Sequence, residues 1–135
     1  MKPQYLCPFC RAAINVKGNV VLAARNLKDI DNKGLVFLHE EIGNYSSEIS
    51  TSLKVSPGDM VNFYCPVCQE SLDIEKGEGL AGITHLDEDG KKSTVVISRV
   101  YGEKASFQVH DDKQITSYGA KLSKYIDPEW FIMGH

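Results

Sequence analysis

All four cysteines of this chain lie in two short units, Cys7-Pro8-Phe9-Cys10 and Cys65-Pro66-Val67-Cys68. Two C-x-x-C units supply four thiolates, the donor set of a closed tetrahedral structural zinc site. The two-residue gap lets both sulfurs of one unit reach the same ion, and each Pro fixes φ at about −65° between the paired thiols. A catalytic metal needs an open position for water or substrate, which four Cys ligands deny. His39, His85, His110 and His135 are scattered, and none has ligand spacing to a Cys or to another His. They read as strand or surface residues. The candidate metal ligands are therefore Cys7, Cys10, Cys65 and Cys68, and no catalytic residue is assigned.

The segments that must position these thiols are alike. Tyr5-Leu6 and Phe63-Tyr64 lead into the two units, Ile14 and Val16 follow Cys10, and Leu72 and Ile74 follow Cys68 at the same distances. Apolar residues at period two predict that each unit feeds a strand with one buried face. Strand, knuckle, strand, twice around one metal, resembles the zinc-ribbon superfamily, and the C-P-x-C form resembles the knuckles of rubredoxins. The resemblance covers residues 1–76 and implies a single ion, Zn²⁺ in the first case and iron in the second. Both families often carry Gly after the second Cys of a knuckle, where this chain has Arg11 and Gln69. Such a Gly lets backbone amides approach the sulfurs, so its absence favours zinc over iron. The 54 residues between Cys10 and Cys65 exceed what a minimal ribbon needs. They predict an elaborated ribbon whose insertion adds strands, at 20–24, 35–39 and, more weakly, 42–49. Ser56-Pro57-Gly58-Asp59 reads as a turn, since Pro presets φ and Gly accepts φ > 0. Residues 60–64 form the strand that enters the second knuckle.

Residues 77–82 read as a flexible boundary. Beyond it, strands are expected at 83–86, 94–101, 105–110 and 114–118, then a short helix carrying Leu122, Tyr125 and Ile126, ended by Asp127-Pro128. The expected fold is mostly β: a zinc-ribbon-like metal domain at 1–76, then at 77–135 an antiparallel β-meander or small β-sandwich with a short C-terminal helix. No repeat is visible beyond the two knuckles. Gly77-Glu78-Gly79-Leu80-Ala81-Gly82 spells the dinucleotide pattern, but that pattern must open a helix and a strand follows here. Asp87-Glu88-Asp89 and Asp111-Asp112 sit where hairpin turns collect Asp.

Composition bounds the function. The chain has 135 residues, 42% of them hydrophobic and 24% charged, and carries a net charge of −3. Residues 1–76 carry 8 basic and 9 acidic side chains, and residues 77–135 carry 7 and 9. Nucleic-acid-binding ribbons usually show a basic face; here the adjacent pair Lys91-Lys92 follows an acidic turn, so phosphate binding is not expected. No apolar run approaches the ~20 residues that cross a bilayer. The residues before the first knuckle leave no room for a signal peptide, and four thiols without one point to a reducing, cytoplasmic setting. The expected role is a structural-zinc protein acting as a protein-interaction or accessory module without catalysis. A rubredoxin-like iron electron carrier is the alternative, and a nucleic-acid-binding ribbon comes after it. Trp130, Phe131, Ile132 and Met133 have the composition of an interface anchor. They are expected to dock on their own sheet, in a self-dimer or on a protein partner.

Overall fold

The computed structural model describes residues 3–29, 31–41, 47–74, 79–101, 105–110 and 114–119. Among them the regular elements are all strands: β1 Gln4–Leu6, β2 Asn15–Val16, β3 Asn19–Asn26, β4 Lys33–His39, β5 Ser47–Ile49, β6 Val61–Tyr64, β7 Leu80–Leu86, β8 Lys92–Ser98, β9 Ala105–His110 and β10 Ile115–Gly119. They form two antiparallel sheets. Sheet I has the order β1-β7-β8-β9-β10, and sheet II has the order β2-β3-β4-β5 with β6 also paired to β3. No helix of the described residues is long and apolar enough to cross a membrane. The helix expected after Gly119 and the segment from Trp130 to Met133 lie outside the described residues.

Alternation explains the strands. In β3, Val20, Leu22, Ala24 and Asn26 are buried while the residues between them are half-exposed, which is the period of a sheet with one covered face. In β7, Leu80 to Thr84 are buried in succession, so this strand is covered on both faces. A single cluster joins the sheets: Val20, Leu22, Val36 and Phe63 from sheet II pack with Tyr5, Ala81, Ile83 and Val95 from sheet I. A smaller cluster of Leu80, Val96 and Phe107 fills the far face of sheet I.

The pairing registers contain a repeat that the sequence conceals. β1 sets Leu6 opposite Thr84, and β6 sets Tyr64 opposite Ala23. The bridge Leu6–Ala13 has its counterpart in Tyr64–Ser71. Val21 opposite Phe37 matches Gly82 opposite Val96, and Val36 opposite Ile49 matches Val95 opposite Gln108. The chain thus follows one path twice, β1 to β5 and then β6 to β9. Each path lends its first strand to the other's sheet, a reciprocal exchange of the kind a twofold interface makes. β1 crosses the boundary expected at residue 76, so the segments on either side share a sheet and a core.

Three local expectations are corrected. Residues 80–82 are not a flexible connection but the buried start of β7; a Cβ on Gly82 would meet Ile74 at 3.3 Å, so the small residue permits close packing there. The strand expected after the second knuckle reduces to single bridges at Ser71 and Asp73. Likewise Val16, expected on a buried face, is exposed, although Ile14 and Leu72 are both buried.

His85, half-buried on β7, packs its ring against that of Tyr5, with centroids 4.9 Å apart and planes tilted by 58°. Burial disfavours its charged form and lowers its pKa, opposed by Asp87 and assisted by His110. The neutral ring is the folded form, so its contribution is complete above the unfolded value of about 6.5 and is lost as pH falls through the lower folded value. Denaturation midpoints at pH 7.5 and 5.5, at equal metal content, should therefore fall more for the wild type than for His85→Gln.

Candidate metal centre

The two knuckles are built alike, bond for bond. The Cys7 N–H donates to the Ala12 carbonyl at 3.0 Å and the Arg11 N–H to the Cys7 carbonyl at 2.9 Å; Cys65 with Glu70, and Gln69 with Cys65, repeat both bonds at the same lengths. Flanking each knuckle, the Ile14 N–H reaches the Tyr5 carbonyl and the Leu72 N–H reaches the Phe63 carbonyl, both at 2.9 Å. Tyr5 and Phe63 are therefore anchors at matching positions, and both are buried.

Backbone amides also close on the sulfurs. The N–H groups of Phe9 and Cys10 point at Cys7 Sγ at 3.3 and 3.4 Å, and those of Val67 and Cys68 point at Cys65 Sγ at the same distances. The turn that permits this needs φ > 0 after the second Cys. Arg11 and Gln69 supply it at φ 63° and 65°, at a cost of roughly 1–2 kcal/mol each for a side chain in that region. The missing Gly therefore does not keep the amides from the sulfurs, and it loses its value as an argument between zinc and iron.

All four Sγ atoms lie within 4.8 Å of one another, and across the knuckles Cys7 to Cys68 and Cys10 to Cys65 measure 3.7 Å. Tetrahedral zinc with Zn–S bonds of about 2.3 Å requires sulfurs about 3.8 Å apart. The four cysteines thus form a cluster that could hold one metal ion. Cys7 and Cys65 are buried, Cys10 is exposed and Cys68 is half-buried. Without a cation the thiols titrate unevenly. Burial raises Cys7, against the N–H groups of Cys10 and Phe9. Burial also opposes ionisation of Cys65, but the amides of Cys68 and Val67 and the thiols of Cys7 and Cys68 bring it down to about 7. At Cys68 the Glu70 amide favours the thiolate, yet burial and the three other cysteines raise it to about 12. A divalent ion would have to expel the protons that remain, so metal uptake should weaken as pH falls.

The remaining residues weighed from the sequence do not join this cluster. His39 and His110 end β4 and β9, and His85 lies on β7; the described metal-competent group contains cysteines alone. His135 is outside the described residues. The amide donors at Phe9 and Val67 were not anticipated, although the identical offsets of the two knuckles carried that signal. Phe9 and Val67 also expose their apolar side chains, at 59% and 63%. No family model, curated protein or solved structure matches the chain.

Proposed function

We propose that the chain is a zinc-ribbon-like protein in which Cys7, Cys10, Cys65 and Cys68 hold a structural Zn²⁺, and that it serves as a protein-interaction or accessory module without catalysis. The observation that carries this reading is the spacing of the four sulfurs, which fits a closed tetrahedral shell. Such a shell leaves no position for substrate, and its thiolates suit a reducing compartment such as the cytoplasm. Metal analysis of protein purified without added metal should give one zinc per chain. Two ions, or none, would overturn the reading.

A rubredoxin-like iron electron carrier is the second reading, and the four N–H···S contacts favour it, because hydrogen bonds to the sulfurs tune iron–sulfur potentials. Thiolate-to-iron absorption in the visible spectrum would select it. Nucleic-acid binding has less support, from the acidic charge balance.

A further inference from the structure

We propose that the outer face of β3, β4 and β6 is a docking groove for an extended protein segment with an acidic half and an apolar half, with Arg25 and Lys33 receiving its carboxylates. This deepens the interaction-module reading and rests on it.

The groove measures about 420 Å³, and Arg25, Lys33, Leu35, Tyr64, Pro66 and Gln69 line it. Arg25 and Lys33 are register partners on β3 and β4, so their side chains leave the same face. Like charges placed directly opposite are destabilising, and no carboxylate lines the groove to relieve them. Among the described residues the ion pairs join Lys28 to Asp59 and Arg99 to Asp73, and neither reaches the groove. The Arg25 guanidinium lies 5.6 Å from the centre of the Tyr64 ring, while its Nε is buried without a hydrogen-bond partner. A buried donor left unsatisfied is costly. An incoming carboxylate that drew the side chain outward would pair with the guanidinium and separate the two cations.

The repeat supplies the argument for the apolar half. Phe37 and Val21 hold the positions that Val96 and Gly82 hold in the second path. There the face is covered, with Val96 fully buried beside Leu80 and Phe107. In sheet II the same face is open: Val21 and Phe37 are half-exposed and Leu35 is exposed. The chemistry also separates a short acidic segment from a polyanion. The chain as a whole is negative and would repel a long anion, whereas a short segment meets the two cations within a Debye length of about 8 Å.

The test uses the full-length, metal-containing chain and a short fluorescein-labelled peptide with a Glu-rich half and a Leu-rich half, followed by fluorescence anisotropy. Saturable binding is expected, weakened about tenfold or more by Arg25→Gln or by raised salt, with no binding of the Gln/Leu counterpart. Lys33→Gln, at an exposed position, provides a second variant should Arg25→Gln fail to fold. No binding of the Glu/Leu peptide, equal binding of the Gln/Leu peptide, or indifference to both variants would overturn the proposal. The two readings fail separately. A lysate partner retained equally by the wild type and the double variant would overturn the groove and leave the module. Charge-dependent peptide binding by a chain whose bound metal proves not to be zinc would support the groove and overturn the zinc reading.

Discussion

Cys65→Ser should purify without stoichiometric metal and lose protection from hydrogen exchange in both sheets, not in the first half alone. Cys65 is fully buried in the cluster that joins the sheets. Its knuckle continues directly from β6, which belongs to sheet II, while the opposite knuckle continues from β1, which belongs to sheet I. Apparent binding free energies for structural zinc run to about 10–16 kcal/mol, as large as the whole stability of an ordinary domain at roughly 5–15 kcal/mol. Loss of a ligand at the junction therefore removes more than the fold can spare. Hydrogen exchange of the variant and of chelator-treated wild type would check this. Retained protection in β7 and β8 after complete metal loss would mean that sheet I stands without the knuckles, the outcome that a simple division at residue 76 implies.

Ile14→Ala and Leu72→Ala should each cost about 2–5 kcal/mol, the range for truncating a buried aliphatic side chain, and the two costs should agree to within about 1 kcal/mol. Both side chains are 2% exposed, and each lies at the same offset from its knuckle, its N–H bonded to the matching anchor carbonyl. Equal losses from residues this far apart in sequence are expected only if the two paths carry equivalent loads. Equilibrium denaturation at constant metal content measures both. A loss confined to one of the pair would show that the reciprocal backbone arrangement is not matched in energy.

The four-cysteine cluster was legible because its thiols come in two matched units, which a common cluster explains most simply. The strands themselves were legible, β3 as the apolar run from Val20 to Ala24 and β9 by its alternation, but the burial of β9 was not: Ser106, Phe107 and Gln108 are buried in succession, so that strand is covered on both faces. The repeat was not. Leu22 stands where the second path has Ile83, Ala24 where it has His85, and Ile49 where it has Gln108. Backbone register fixes these equivalences, and a backbone hydrogen bond is indifferent to the side chain it carries. β1 is three residues long, too short to display a period, so its place in sheet I could not be inferred. Residues 80–82 misled for a different reason. Glycine and alanine near a Gly-rich run suggest a linker, whereas here their smallness lets two faces of one strand be buried at once. Arg25 and Lys33 drew no notice because their opposition exists only across the β3–β4 ladder.

The exchange of first strands also sets a timetable for the chain as it is made. β1 leaves the ribosome before the other described strands, yet its hydrogen-bonding partner in sheet I is β7, about 80 residues downstream, a delay of roughly 4–16 seconds at 5–20 residues per second. Through that interval Cys7 and Cys10 wait without the second pair of thiolates, and the open edge of β3 waits for β6. An unpaired strand edge is a template for other chains. The nascent protein is thus most exposed to mispairing, and to premature capture of metal by half a site, before its second knuckle has been translated.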